Sequence, residues 1–277
     1  MSQTVGFIGA GQLGGPMVMR LLGAGHCVLV YSRRNDVRDR LLAAGAGSAG
    51  SVAELASESD LLISCLFSDA QLRETGLGRD GFIANAKSSS IFVSHTTGTV
   101  STLEALRDSS AAAPVILDAP VSGTAENIAA GTLTVLVGGP DDAVATVTPV
   151  LAAYADPVIA TGELGSALAI KLINNLLFAA NAQLLAAATQ LGDDLGIDPG
   201  ALLSALQVCS AKSAVVSHAE RIGGIDRFAE MAGPFLRKDI TACHQAAAEA
   251  AVDLGLLGSV VRAGPLALSA DQGVAHH

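Results

Sequence analysis

The sequence has no tryptophan, two tyrosines and seven phenylalanines. Lysine and arginine number 16 against 26 aspartates and glutamates, a formal net charge of −10, and no basic cluster forms a stripe. A nucleic-acid surface needs a basic footprint and stacking aromatics, so no nucleic-acid partner is expected. The four cysteines, Cys27, Cys65, Cys209 and Cys243, lie far apart and form no CxxC pair. That spacing predicts reduced, buried thiols and no metal site. Although 50% of residues are hydrophobic, the most apolar stretch, residues 167–195, is interrupted by Lys171, Asn174, Asn175, Asn181 and Gln183. This reads as a deeply buried helix and not as a membrane span. Met1-Ser2-Gln3-Thr4 puts no basic stretch ahead of an apolar one, so no secretory signal is expected and the location is read as cytoplasmic. His276 and His277 are given no role.

What is present is a rhythm. Among the 277 residues, short β-branched runs at 5–8, 27–31, 61–66, 91–94, 115–117 and 134–137 alternate with helix-period or glycine-rich stretches, and 158–160 offers a last short strand. Such alternation predicts an α/β domain, a doubly wound parallel sheet with helices on both faces. After about residue 165 no convincing strand appears. A helix is expected from about 166 to 195, then others near 200–209, 215–222, 234–255 and 258–271, with Asp198 as an N-cap and Pro199 in the first turn. The expected layout is therefore a dinucleotide-binding domain over 1–165 and an all-helical substrate and dimerisation domain over 166–277. An Ala-rich, weakly charged helix of about 30 residues cannot hide its whole surface in so small a domain, which predicts a homodimer or tetramer built through the C-terminal helices.

Gly9-Ala10-Gly11-Gln12-Leu13-Gly14 follows the first apolar run and opens a helix. Gly9 suits the tight strand-to-helix turn, Gly11 lets the backbone approach a pyrophosphate, and Gly14 lets the helix pack closely on the strand. The helix N-terminus then offers N–H groups and its positive dipole end to phosphates. Placed between a first strand and a second, the motif reads as a Rossmann-type dinucleotide site, with Leu66 at the end of the third run in the same cofactor set. An NAD site usually ends the second strand with Asp or Glu. Here Tyr31-Ser32-Arg33-Arg34 provides two guanidinium groups, so NADP is favoured over NAD.

Two segments suggest a substrate site. Ser122, Gly123 and Thr124, in the loop after the run at 115–117, form a donor cluster suited to a carboxylate. Lys171 and Asn175 lie four apart on the long helix, on one face. A lysine on an apolar helix can serve as an acid or base when desolvated, although a snorkelling lysine has the same pattern. A third pair, Lys238-Asp239, reads equally as a site element or an ion-pair face.

Together, Gly9 through Met17, His95-Thr96, Asp118 to Gly123, Gly131-Thr132-Leu133-Thr134, Gly162 through Lys171 to Asn175, and Lys238-Asp239 resemble the β-hydroxyacid dehydrogenases, the family of 3-hydroxyisobutyrate dehydrogenase and tartronate semialdehyde reductase, and are 6-phosphogluconate dehydrogenase-like. The resemblance implies hydride transfer between NAD(P) and a small 3-hydroxy acid or its semialdehyde. It implies Lys171 as the catalytic acid/base, Asn175 as the residue that orients substrate and lysine, Ser122 and Gly123 as the carboxylate-binding turn, Thr96 between nicotinamide and substrate, and Lys238 near the cofactor. The sequence departs from the family pattern at Thr124 and Asn127-Ile128, where glycine or alanine is usual, and at His95, where serine is common. Alternatives are an imine reductase on the same scaffold, against which Lys171 argues, and a non-catalytic NADP-binding protein.

Overall fold

The computed structural model describes residues 3–268; Met1, Ser2 and the segment from 269 on, with His276 and His277, lie outside the described residues. The chain divides into two compact units, residues 1–171 and 172–277.

The first unit runs β1 (Thr4–Ile8), α1 (Gly14–Gly23), β2 (Cys27–Tyr31), α2 (Asn35–Ala43), β3 (Gly47–Ser48), α3 (Val52–Glu58), β4 (Leu61–Ser64), α4 (Asp69–Gly76), α5 (Phe82–Asn85), β5 (Ile91–Ser94), α6 (Val100–Asp108), β6 (Val115–Asp118), β7 (Val121–Ser122), α7 (Ala125–Ala130), β8 (Leu133–Gly138), α8 (Asp141–Leu151) and β9 (Ala155–Gly162). The sheet order is β3-β2-β1-β4-β5-β6-β8-β7, with β9 on β8. From β3 to β6 every neighbour is parallel, while β8 runs antiparallel to β6 and β7. The period of two along the strands divides the apolar residues between two cores. Val5, Phe7, Leu61, Ile63, Val93 and Leu117 enter one with α1, α2 and α8. Ile8, Leu62, Phe92 and Ile116 enter the other with α3, α5 and α6. Both faces of the sheet are thus covered, as parallel strands require. The order reverses between β1 and β4, and a crevice at the carboxyl ends of the strands is the usual consequence.

α9 (Ser166–Asp194) spans the boundary between the units, and α10 (Pro199–Leu206), α11 (Ala214–Ile222), α12 (Ile225–Glu249) and α13 (Gly255–Ala263) follow. By length and composition α9 could also cross a bilayer, and half of its most apolar window is buried inside the chain. Asp198 caps α10 through the Ala201 N–H at 2.9 Å, with Pro199 in the first turn. The second unit's core draws Leu176, Ala179, Leu203, Val215, Phe228, Leu236 and Ile240 onto one cluster.

Three expectations need correction. α12 begins at Ile225 and not at 234: Pro234 lies inside it, because Ile225 and Phe228 are buried on the same face as Leu236 and Ile240 and that burial outweighs the lost N–H bond. Cys27 and Cys209 are exposed, and only Cys243 is buried, so the thiols are free but not uniformly interior. The last expected helix, 258–271, is observed as Gly255–Ala263; residues 264–268 are not helical, because Gly264 and Pro265 follow the last turn, and 269–271 lie outside the described residues.

The first turn of α9 is fixed by a side chain from the sheet. Asp118, fully buried at the end of β6, accepts from the Gly165 N–H through Oδ1 and the Leu168 N–H through Oδ2, both at 2.8 Å. Burial pushes its pKa up, and these N–H donors pull it back. Asp118→Ala would strand both N–H groups and should cost about 3 kcal/mol, read as a lower urea midpoint. An unchanged midpoint would show that the cap contributes nothing.

Candidate active site

The carboxyl ends of β1, β2, β4 and β5 lie side by side, since Ile8 pairs with Tyr31 and Ser64, and Ser64 with Ser94. The segments leaving those ends carry Gly9 to Gly14, Ser32 to Arg34, Leu66 and Thr96, so register alone brings the expected cofactor residues to one edge. Gly9 holds φ +89°, and a Cβ there would stand 2.5 Å from the Cys65 carbonyl oxygen and 2.9 Å from Leu66. Only glycine makes this turn without strain. A Cβ on Gly14 would collide with the Gly9 carbonyl oxygen. At Gly11 the same construction meets nothing within 4 Å, so the turn faces open space. No side chain caps α1, and within its first turn the Gly15 N–H bonds back to the Gly11 carbonyl at 3.0 Å. These features fit a dinucleotide diphosphate.

At the end of β2 the two arginines behave differently. Arg34 places Nε 3.2 Å and Nη2 2.6 Å from the two carboxylate oxygens of Asp36, so its fork is committed locally. Ser32 Oγ accepts the Arg34 N–H at 3.2 Å, closing a small turn. Arg33 is 71% exposed and reaches only Glu74, at 3.8 Å.

Thr96 is buried, and its Oγ1 has no hydrogen-bond partner among the described residues. Such an orphaned hydroxyl suits a ligand at this edge. His95 is buried, and both ring nitrogens are used: Nδ1 meets the Ala119 carbonyl and Nε2 the Tyr154 hydroxyl at 2.8 Å. A carbonyl can only accept, so Nδ1 carries the proton and Nε2 accepts from Tyr154. Burial pushes the imidazole pKa down to about 4. His95 is a neutral strut joining β5, β6 and the end of α8.

Ser122, Gly123 and Thr124 are exposed beyond β6. Thr124 donates its N–H and its hydroxyl to Asn127 Oδ1, at 3.0 and 3.1 Å. Lys171 is half-buried three residues after Leu168, and so follows the turn that Asp118 holds. In the second unit, Asn175 is buried four residues further along α9. Its Oδ1 accepts from Asn174 at 3.1 Å, and its Nδ2 has no partner among the described residues. Lys238, on α12, is half-buried with Nζ 4.0 Å from Asp239 Oδ1. Sequence reasoning missed the Asp118 cap and the His95–Tyr154 pair, for which local sequence carries no signal. Among the described residues no group of three or more His, Cys, Asp or Glu side chains could hold a metal.

Comparison with known proteins decides the lineage. A family model described as the NAD binding domain of 6-phosphogluconate dehydrogenase matches residues 4–165. One described as NAD-binding of NADP-dependent 3-hydroxyisobutyrate dehydrogenase matches residues 165–275. The 3-hydroxyisobutyrate dehydrogenase of Pseudomonas aeruginosa is 31% identical over 207 residues, which cover 74% of this chain and 70% of that protein. The chain belongs to the β-hydroxyacid dehydrogenase family. Its matches span 66% of the Dictyostelium discoideum mitochondrial relative and 62% of the Bos taurus one, just under two thirds of each. A Mycobacterium tuberculosis 3-hydroxyisobutyrate dehydrogenase solved with L-serine shares the fold at TM-score 0.81 and 24% identity, over 95% of this chain and 92% of that one. A Streptomyces aurantiacus imine reductase shares it at TM-score 0.63 and 18% identity, over 94% and 92%. As in this family, a nicotinamide-dinucleotide-binding Rossmann domain precedes a helical region.

His95 sets a pH dependence. Free imidazole has a pKa of 6.5, and in the fold it drops to about 4. Between these values the unfolded chain binds a proton that the folded one refuses, so stability falls as pH falls through that window. Between pH 7 and pH 4 the wild type should lose about 3 kcal/mol more than His95→Gln in urea denaturation. Equal losses would contradict a neutral buried strut.

Proposed function

We propose that the protein is an NADP-dependent oxidoreductase that moves a hydride between the nicotinamide and a small 3-hydroxy acid or its semialdehyde, with Lys171 as general acid/base. The observation that carries this reading is the pairing of Asp118 with the Leu168 N–H at 2.8 Å. It ties the turn before Lys171 to the sheet edge that bears the open glycine turn.

The bound nicotinamide supplies the hydride chemistry. The chain's residues supply position and charge. The N–H groups at the start of α1 hold the diphosphate, flanked by Ala10, Gln12 and Leu13. Ser32 and Arg33 take the ribose 2′-phosphate, since Arg34 is committed to Asp36. Thr96 offers its unpartnered hydroxyl between cofactor and substrate. Oxidation of the hydroxyl develops alkoxide-like charge. An amine at Lys171 accepts that proton, and in the reverse direction its ammonium returns it; held close, the ammonium stabilises the charge more in the transition state than in the ground state. Asn175 orients the substrate hydroxyl through its otherwise unsatisfied Nδ2. Ser122 and Gly123 hold the carboxyl group, and Lys238 serves the cofactor side.

The cytoplasm is the proposed location, and the assembly is a homodimer or tetramer through the C-terminal helices. Ile170, Leu177, Leu184 and Leu191 are exposed along α9 at heptad spacing and support such pairing.

Lys171→Ala should lower turnover roughly 10²–10⁴-fold while NADPH affinity stays within a few-fold. Normal turnover in that variant refutes the mechanism. Arg33→Ala should weaken NADPH about tenfold or more and leave NADH nearly unchanged. Equal effects on the two cofactors would remove Arg33 from 2′-phosphate recognition. Assaying short semialdehydes against cyclic imines with NADPH separates this reading from imine reduction.

A further inference from the structure

Two connections at the edge that bears the glycine turn are tied to each other by one side chain. Asp69 opens α4, shortly after Leu66 on the segment that leaves β4. Its Oδ2 accepts the Thr99 N–H at 2.9 Å and the Thr99 hydroxyl at 3.2 Å, thirty residues along the chain. Thr99 is buried and immediately precedes α6, so the tie reaches the segment that leaves β5. Gly98 backs onto the same carboxylate, and a Cβ built there would overlap both of its oxygens. A carboxylate at the starts of two helices is favoured by both dipoles.

The segment held this way is short and carries an unanswered group. At one end His95 is fixed by Ala119 and Tyr154, and at the other Thr99 is fixed by Asp69. Thr96 lies between them, 3% exposed, with no hydrogen-bond partner for Oγ1 among the described residues. A buried hydroxyl in that state points to a ligand or water that completes it. Residues 96–98, strung between two fixed points, have little freedom to turn that hydroxyl elsewhere. Bonds to a carboxylate are roughly twice as strong as those between neutral groups, so the Thr99 end is held firmly. We propose that Asp69 is a positioning residue: by tying the start of α4 to the start of α6 it aims the Thr96 hydroxyl at the nicotinamide half of the cofactor. The proposal rests on the reading that Thr96 meets the cofactor, and it does not involve the proton transfer assigned to Lys171.

Titration of the full chain with NADPH, followed by the cofactor's fluorescence, and with adenosine 2′,5′-bisphosphate, followed by calorimetry, tests this without requiring turnover. The second probe has the adenine half of the cofactor and no nicotinamide. Thr96→Val should weaken NADPH about tenfold, the worth of one well-placed hydrogen bond. Asp69→Ala should weaken it by about as much, and both variants should hold the bisphosphate within about twofold of wild type. Asp69→Asn keeps an oxygen for Thr99 and should stay within about threefold of wild type for NADPH. In the Thr96→Val background, Asp69→Ala should add less than about twofold, because both changes remove the same contact. A merely structural role for Asp69 would weaken both probes, and its loss would multiply with that of Thr96→Val. Multiplying losses in the double variant, equal losses of the two probes, an Asp69→Asn as weak as Asp69→Ala, or a Thr96→Val that binds NADPH as wild type does would overturn the proposal. The first three leave the cofactor reading of Thr96 standing, and the last removes it as well. Undiminished turnover in Lys171→Ala would overturn the catalytic reading alone, because the NADPH affinities would still report on Asp69.

Discussion

A single buried carboxylate joins the sheet to the start of α9, the helix that bears Lys171. Asp118 ends β6 with no exposure, and its two oxygens receive N–H groups from the first turn of α9. Four backbone N–H groups at any helix start need partners, and the dipole there favours negative charge, so the interaction satisfies the helix and the acid together. Its functional consequence is positional. Lys171 comes three residues after Leu168, less than one helical turn, so its backbone inherits the accuracy of that cap.

Around this anchor the polar side chains fall into two groups. One group is internally satisfied: His95 with Ala119 and Tyr154, Thr124 with Asn127, Arg34 with Asp36. The other is buried and, among the described residues, unsatisfied: Ser64 Oγ, Thr96 Oγ1 and Asn175 Nδ2. Buried polar atoms are rarely left without partners unless a ligand or water completes them. Thr96 and Asn175 are also positions to which the family resemblance gives a role toward cofactor and substrate. The family departures at His95, Thr124 and Asn127 all belong to the satisfied group. Their bonds are to other protein groups, His95 to Ala119 and Tyr154 and Thr124 to Asn127, and the glycine turn and Lys171 stay as the family resemblance has them.

Much of the fold was legible because it is written in local patterns. The glycine spacing, the alternating strands of the first half and the Asp198-Pro199 helix start each rest on residues within a few positions of one another. Pro234 misled because proline is a strong local sign of a helix start, whereas α12 is set by a buried face reaching back to Ile225. The exposure of Cys27 and Cys209 likewise follows from packing and not from the runs in which they sit. In the site, residue types and order pointed to Lys171, Ser122 and Thr96, but partnership did not show. Asp118 meets donors 47 and 50 residues away, and His95 meets a hydroxyl 59 residues away. Such contacts are products of topology, and no period or motif announces them. The exchange between Thr124 and Asn127 is local, three residues apart, and was hidden only because a threonine in a carboxylate-type turn looks like a donor until its hydrogen is seen to be taken.

The central claim is that the sheet edge bearing the glycine turn and the helix start held by Asp118 serve one reactive centre. A crystal structure of the enzyme with NADP⁺ and a 3-hydroxy acid tests it most directly. The account predicts the diphosphate over Gly11 on the first turn of α1, with the Lys171 nitrogen at the substrate oxygen next to the nicotinamide. A cofactor seated away from that turn, or a Lys171 side chain directed away from the ring with substrate bound, would contradict it.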